Sequence, residues 1–130
     1  MSAASISATI LDRVGIEPYN GMQGQSVLPV VDGAQKHHRE SLLIEEDAQK
    51  AHFGFTAPPR IRTLITRQYR LSVYGRTGHR ELFDLENDPD ELRNRFASRE
   101  YATIRAHLME ELALAEMEAA DTSPMPVYLA

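Results

Sequence analysis

The amino-acid sequence predicts an α+β fold, in which a small antiparallel sheet of three to four strands is covered by a long C-terminal helix and preceded by a short N-terminal helix. Two patterns support this prediction. Between residues 60 and 74, two segments alternate apolar and polar side chains and lie about two residues apart, as in an antiparallel hairpin. Beyond residue 98, apolar side chains recur at steps of three and four, as in a helix with one buried face. Strands followed by a covering helix are typical of α+β domains.

The N-terminal part, residues 1–33, is predicted to contain a helix and a linker. Residues 5–14 carry apolar side chains at helical spacing, namely Ile6, Ile10 and Val14. Ser5 can cap the start of this helix, and Gly15 can end it because glycine readily adopts a left-handed backbone. A single helical turn is predicted over residues 26–31.

The sheet is predicted within residues 41–85. Its four candidate strands are residues 41–45, 60–66, 69–74 and 81–85. The second and third alternate most clearly, and we expect them to pair as a hairpin. The loop at residues 47–59 connects the first two strands, and a loop of that length in a small domain is often functional.

Residues 88–119 are predicted to be helical. Asp88, Pro89 and Glu91 form a capping box with proline at its preferred first position, which predicts a brief helix over residues 89–93. The longest helix is predicted over residues 99–119, with this apolar stripe: Tyr101, Ile104, Leu108, Leu112 and Ala115. Two prolines favour an extended tail at residues 120–130. The whole chain, residues 1–130, is predicted to be one domain.

Composition excludes several classes of protein. The chain has 130 residues, a net charge of −5 and no cysteine. Without cysteine there is no disulfide framework, thiolate metal site or cysteine nucleophile. The negative charge argues against nucleic acid as a partner, since nucleic-acid binders usually carry a positive excess. We see no membrane-spanning stretch and no signal peptide, so no membrane partner is expected and the default location is cytoplasmic.

Generic chemical motifs are weak in this sequence. Glu46 and Asp47, with Glu45 and His52, can supply oxygen ligands and one imidazole to a metal ion. An acidic strand end beside a loop histidine explains the same residues without a metal, and we favour that interpretation. We therefore predict no metal site and no catalytic residue in this chain.

Arginine recurs through residues 60–80, where no acidic residue occurs. On an alternating strand, Arg60 and Arg62 share the face opposite Ile61, and guanidinium groups match the oxygens of sulfate, phosphate or carboxylate. Two interpretations remain open. The row binds an anionic ligand, or it is structural, either as a solvated outer sheet face or through ion pairs with the acidic segments of the same fold.

Several segments together resemble the sulfatase family. Residues 8–18, ATILDRVGIEP, are similar to the "PT(I/L)LdlaGI" helix of sulfatases, and residues 21–29, GMQGQSVLP, to their "QG.SL.P" segment. Residues 61–71 resemble the "iRtlrt..yKl" hairpin. Residues 81–91, ELFDLENDPDE, followed by Asn94, resemble the "ELYDLenDPgE..N" segment, which is the most specific of these motifs. Ala8 and Ser5 depart from the proline and aspartate that are common there.

This resemblance implies the C-terminal subdomain of an alkaline phosphatase-like enzyme. In such enzymes a large α/β domain carries the chemistry, with formylglycine as nucleophile and calcium or another divalent metal beside it. None of that set has a counterpart here, so the resemblance implies no cofactor in this chain, and formylglycine and the metal only in the parent enzyme. It leaves sulfatases and phosphonate- or phosphodiester-cleaving relatives undistinguished.

The first functional hypothesis is a C-terminal subdomain that packs on the catalytic α/β domain of a parent sulfatase and shapes its substrate cleft. The loop at residues 46–59 is then expected to approach substrate, and the candidate substrate-binding residues are Glu46, Asp47, His52 and Arg60. An apolar face left open would make the isolated chain a homo-oligomer. The second hypothesis is a stand-alone module for anion binding, protein binding or oligomerisation. A small metal hydrolase built on Glu46, Asp47 and His52 ranks below both.

Overall fold

The computed structural model describes residues 3–19, 21–51 and 54–120. Its elements, in chain order, are α1 (Ala3–Arg13), α2 (Leu28–Val31), β1 (Ser41–Asp47), β2 (Arg60–Thr66), β3 (Tyr69–Gly75), β4 (Arg80–Asp84) and α3 (Ala102–Ala119). The described residues form two compact units. One runs to Arg39 and includes Ala119 and Ala120, and the other runs from Glu40 to Glu118. The single-domain organisation stays a prediction.

The four strands form one antiparallel sheet in the order β1-β2-β3-β4. Its register sets four leucines side by side across the strands, so they share one face: Leu43, Leu64, Leu71 and Leu82. Leu108 and Leu112 of α3 pack against this row, and five of the six leucines are buried. The predicted sheet and covering helix are therefore confirmed.

The opposite face of the sheet is also partly buried. Ile61 and Phe83 are nearly inaccessible there, as are Thr63 and Ser72, whose hydroxyl groups are hydrogen-bonded at 2.9 Å. Satisfying two buried hydroxyls with each other removes the cost of burying either one alone. The sheet thus has an apolar face under α3 and a mixed face on its other side.

The predicted helix over residues 89–93 is wrong. The Asp88 carboxylate accepts hydrogen bonds from the backbone N–H groups of Leu92 and Arg93, at 3.2 and 2.8 Å. Glu91 has a φ of 55°, a left-handed conformation that cannot continue a right-handed helix. The segment is therefore a turn capped by Asp88. The long helix also starts later than predicted, at Ala102, after a turn in which the Ser98 carbonyl accepts from the Tyr101 N–H at 3.3 Å.

In the N-terminal unit, α1 turns its small side chains inward. Ser5 and Ala8 are buried, whereas the predicted apolar stripe is exposed: Ile6 by 48%, Ile10 by 58% and Val14 by 62%. The Thr9 hydroxyl accepts from the Val27 N–H at 3.0 Å and so ties α1 to the start of α2. Among the described residues, no helix is long and apolar enough to cross a membrane.

Candidate functional site at the loop end of the sheet

One end of the sheet collects the long loop and the turn between β3 and β4. Asp47, the last residue of β1, pairs with Arg60, the first of β2, and Arg60 pairs in turn with Gly75 at the end of β3. A hydrogen bond of 3.1 Å from the Ala48 N–H to the Pro59 carbonyl closes the base of the loop. Loop residues and turn residues 76–79 therefore lie at the same end of the sheet.

The structure separates the predicted substrate-binding residues onto two faces. Asp47 and Arg60 are register partners and lie on the face that carries α3. Glu46 pairs with Ile61, so it lies on the opposite face, because successive strand residues alternate. His52 lies outside the described residues. Of the predicted residues that the structure describes, Asp47 and Arg60 therefore lie on one face of the sheet and Glu46 lies on the other.

Arg62 lies within an acidic cluster on the α3 face. Its Nη1 is 3.0 Å from Oδ1 of Asp47, and its Nε is 3.0 Å from Oε1 of Glu45 and 3.2 Å from Oε1 of Glu116. The hydrogen bond from Arg62 lowers the pKa of Asp47, although desolvation opposes that shift. For Arg62, the ion-pair interpretation of the arginine row is confirmed. Arg60 contributes a weaker electrostatic attraction to the same carboxylate.

A second site on the opposite face was missed by sequence reasoning. The rings of Phe55, Tyr74 and His79 cluster with centroid separations of 5.7 Å (Phe55–Tyr74), 6.2 Å (Phe55–His79) and 4.8 Å (Tyr74–His79). The Tyr74 hydroxyl donates to Oε2 of Glu81 at 3.1 Å, and Nε2 of His79 is 3.1 Å from Oε1 of Glu81. These four residues line a pocket of about 470 Å³, which we call the aromatic pocket.

Electrostatics in the aromatic pocket favour neutral over anionic groups. Desolvation, followed by the charge of Glu81 and its hydrogen bond, raises the pKa of the Tyr74 hydroxyl, while the charge of Arg70 opposes that shift and Glu46 adds a smaller contribution to it. The candidate strands at residues 69–74 and 81–85 placed Tyr74 and Glu81 on strands. Only the register, with the Tyr74 N–H bonded to the His79 carbonyl at 3.1 Å, shows that they meet His79.

The most specific sequence motif has a structural role. Asp84 is buried, and its carboxylate accepts from the Asn87 N–H at 3.1 Å, from Nδ2 of Asn87 at 2.9 Å and from the Tyr101 hydroxyl at 3.1 Å. Asn94 accepts from the Leu82 N–H at 3.1 Å and donates to the Arg80 carbonyl at 2.9 Å. These contacts connect β4 to the segment that follows it, so the motif specifies a fold and not a reaction.

In the N-terminal unit, a small polar cluster surrounds Ser5. The Ser5 hydroxyl accepts from Nη2 of Arg39 at 3.0 Å and is 3.2 Å from Nε2 of His38. Desolvation, and then the charge of Arg39, lowers the pKa of His38. Among the described residues of the chain, no group of three or more His, Asp or Glu side chains is arranged to hold a metal ion.

Comparison with known proteins assigns the family. A family model for N-sulphoglucosamine sulphohydrolase, C-terminal, matches residues 2–118. An uncharacterized protein from Haemophilus influenzae is 29% identical over 113 residues, which are 87% of this chain and 54% of that protein. An N-acetylglucosamine-6-O-sulfatase from Bacteroides thetaiotaomicron is 27% identical over 128 residues, covering 89% of this chain and 21% of the enzyme.

Solved structures share the fold at low sequence identity. A phosphonate monoester hydrolase of Agrobacterium radiobacter superposes with a TM-score of 0.79 at 24% identity, over 100% of this chain and 27% of that one. A protein solved in complex with its substrate D-glucosamine-2-N,6-O-disulfate gives a TM-score of 0.75 at 22% identity, over 95% of this chain and 25% of that one. The chain spans about half or less of the length of each of these relatives. On the family match, which extends over nearly the whole sequence, the chain belongs to the N-sulphoglucosamine sulphohydrolase C-terminal family, a C-terminal domain of sulfatases.

Proposed function

We propose that this chain acts as the C-terminal subdomain of a sulfatase-type hydrolase, in which it packs on the catalytic α/β domain and shapes the substrate cleft. Hydrolysis of the sulfuric ester belongs to the full-length parent, and this chain is not catalytic alone. Formylglycine and calcium, or another divalent metal, are then contributed by the catalytic domain. The family match and the much greater length of the sulfatase relative support this division of labour.

The observation that carries the proposal is the exposed apolar stripe of α1, formed by Ile6, Ile10 and Val14. A surface helix normally buries such a stripe and exposes its small and polar side chains. Here the arrangement is reversed, and Ile16 and Tyr19 extend the exposed apolar surface beyond the helix. Contiguous exposed apolar surface marks an interaction site. We assign it to the contact with the catalytic domain.

A chimeric enzyme tests this contact. This chain replaces the matching C-terminal part of the Bacteroides N-acetylglucosamine-6-O-sulfatase, and sulfatase turnover is measured. We expect Ile10→Asp to lower the yield of active chimera about tenfold, because a charge buried in an apolar interface costs more than 1.4 kcal/mol, a factor of about ten.

Met117→Asp, which changes a similarly exposed apolar residue on α3, is the matched control and should leave activity unchanged. Equal activity of both variants in the chimera would refute the proposed docking surface.

The isolated chain gives a second prediction. Purified alone, it should not hydrolyse an aryl sulfate or an aryl phosphodiester, with calcium or manganese present. Its uncovered α1 stripe should make it self-associate, which analytical ultracentrifugation detects, and Ile10→Asp should shift the population towards monomer. Turnover that survives repurification, or a monomer at all concentrations, would contradict this prediction.

We also propose that Glu46, Asp47, His52 and Arg60 contact substrate at the rim of the cleft in the parent. Arg60 is the best candidate to meet an anionic group, since it lies at the loop base and Arg62 is occupied by three carboxylates. In the chimera, Arg60→Ala should raise KM by about tenfold with a smaller change in kcat. Arg67→Ala, in the turn at the opposite end of the sheet, is the control. An unchanged KM for Arg60→Ala would remove Arg60 from the set.

A stand-alone anion-binding module has less support. Its principal residues were the arginines of the β2–β3 hairpin. Arg62 is surrounded by Glu45, Asp47 and Glu116, and Arg70 is paired with Glu91, so both guanidinium groups already have internal carboxylate partners.

A further inference from the structure

We infer that the aromatic pocket binds an unsulfated sugar ring and discriminates against a sulfated one. This inference rests on the proposed role of the chain in shaping a substrate cleft. It adds a subsite on the sheet face opposite Asp47 and Arg60, with a different ligand preference.

Shape is the first argument. The pocket is lined by Phe55, Tyr74 and His79 and has a volume of about 470 Å³. This volume falls within the range of roughly 300–1,000 Å³ that is typical of small-molecule sites. The rings of Phe55 and Tyr74, with centroids 5.7 Å apart, form an aromatic wall, against which the C–H face of a pyranose can lie.

Hydrogen-bonding capacity is the second argument. A carboxylate can accept about four hydrogen bonds. Each oxygen of Glu81 has one partner in the pocket, the Tyr74 hydroxyl or the His79 imidazole, so acceptor capacity remains for sugar hydroxyls. The two partners also hold the carboxylate in place, which reduces the entropy lost when a ligand binds. A site with an apolar wall and a fixed acceptor suits a ligand that has an apolar face and hydroxyl donors.

Charge is the third argument, and it decides against the sulfated ring. The Glu81 carboxylate lines the pocket and is the largest charge that acts on the Tyr74 hydroxyl. Neither arginine nor lysine is among the lining residues. Arg60 and Arg62 point to the other face, and Arg70, on this face, is paired with Glu91. A sulfate placed in the pocket would lie beside the Glu81 carboxylate, whereas Arg70, which also acts on Tyr74, lies outside the lining.

Binding by the isolated 130-residue chain tests the inference. Nuclear magnetic resonance titrations at neutral pH and low salt compare N-acetylglucosamine, N-acetylglucosamine 6-sulfate and tetramethylammonium. We expect the neutral sugar to perturb the signals of residues 74–81 with millimolar affinity, and the sulfated sugar to bind about threefold to tenfold more weakly. Added salt should narrow that difference, since it screens the repulsion.

Two variants test whether Phe55 and Glu81 bind the sugar. Phe55→Leu should weaken binding of the neutral sugar about fivefold, because it removes one ring of the wall. Glu81→Gln keeps the side-chain shape and removes the charge, so it should bring the affinities of neutral and sulfated sugar together. Leu92→Ala and Glu110→Gln alter an exposed apolar residue and an exposed glutamate elsewhere, and neither should change binding. The dispersion of the spectra shows that each variant remains folded.

The inference is overturned if the sulfated sugar binds as tightly as the neutral one, if tetramethylammonium binds more tightly than the sugar, or if neither Phe55→Leu nor Glu81→Gln changes binding. The absence of sugar binding up to about 100 mM would also overturn it, since that limit lies far above the millimolar range expected of a weak subsite. Because the titration needs no catalytic domain, its failure beside an active chimera refutes only this subsite. Sugar binding beside a chimera that is insensitive to Ile10→Asp refutes only the proposed docking surface.

Discussion

Replacing Asp84 with alanine is expected to lower the free energy of unfolding by about 3 kcal/mol. Its buried carboxylate accepts hydrogen bonds from the backbone and side chain of Asn87 and from the Tyr101 hydroxyl. Alanine would leave these donors without their acceptor, and hydrogen bonds to a charged group contribute about 1.5–3 kcal/mol each, although contributions within one network do not add. A loss of this size is a large part of the stability of a small domain, which is about 5–15 kcal/mol.

Urea unfolding followed by far-ultraviolet circular dichroism measures this loss. Asp90→Ala is the matched control, because Asp90 is an exposed aspartate of the same motif, and it should change stability by less than about 0.5 kcal/mol. Asp84→Asn keeps one acceptor oxygen and should fall between the wild type and alanine. Equal stability of Asp84→Ala and Asp90→Ala would show that the Asp84 contacts do not stabilise the sheet.

The contribution of Asp84 should also depend on pH. Burial by itself raises the pKa of Asp84, but hydrogen bonds from Asn87, Tyr101 and the backbone outweigh it and hold the pKa below its usual value. A carboxyl with a depressed folded-state pKa stabilises the fold fully above its unfolded pKa of about 3.9, and the stabilisation is lost as pH falls through the folded value. The stability difference between wild type and Asp84→Ala should therefore shrink below about pH 4. A difference that stays constant down to pH 2 would contradict this assignment.

Replacing Leu71 with alanine is expected to lower the free energy of unfolding by about 3 kcal/mol, within the range of about 2–5 kcal/mol for buried leucines. Leu71 is fully buried on β3, between Leu64 and Leu82 of the neighbouring strands, and the row packs under Leu108 and Leu112. The truncation removes apolar contacts and leaves a cavity that the two central strands cannot close without losing their register.

Thermal unfolding tests this prediction by comparing Leu71→Ala with two other leucine variants. Leu71→Met keeps most of the volume and should cost less than about 1.5 kcal/mol. Leu114→Ala changes an exposed leucine on α3 and should have little effect. If Leu71→Ala and Leu114→Ala unfold at the same temperature, the leucine row is not the core of this unit.

Local patterns in the sequence predicted the hairpin of β2 and β3 and the long helix α3. The strict alternation of residues 60–66 and 69–74, with a two-residue connection, leaves few conformations other than an antiparallel hairpin, and β2 and β3 match it closely. The apolar stripe of residues 99–119 likewise predicted a helix over the sheet. The capping chemistry of Asp88 was misread because an aspartate can accept backbone N–H groups in a turn as well as at a helix start, and the left-handed Glu91 leaves only the turn.

The candidate site shows the limit of local patterns. The sequence identified the loop end of the sheet and its acidic and arginine residues, but alternation alone could not show that Arg62 would be occupied by Glu45, Asp47 and Glu116. The register of β1 against β2 brings Glu45 and Asp47 to Arg62, and the position of α3 over the sheet brings Glu116. The aromatic pocket was missed for the same reason, because Phe55, Tyr74 and His79 come from a loop, a strand and a turn, and only the strand register brings them together.

By itself, the sequence determined the four strands, the positions of α1 and α3 and the resemblance to sulfatases, because backbone propensity, apolar periodicity and motif spacing are all properties of neighbouring residues. The tertiary structure alone decided which arginine is neutralised, which rings line a pocket and which face of α1 stays exposed. The stripe of Ile6, Ile10 and Val14 illustrates the difference. The spacing of these residues predicts a helix whether the stripe is buried or exposed. Whether it is buried depends on which other surfaces of the fold can cover it, and contacts between residues far apart in the chain determine those surfaces.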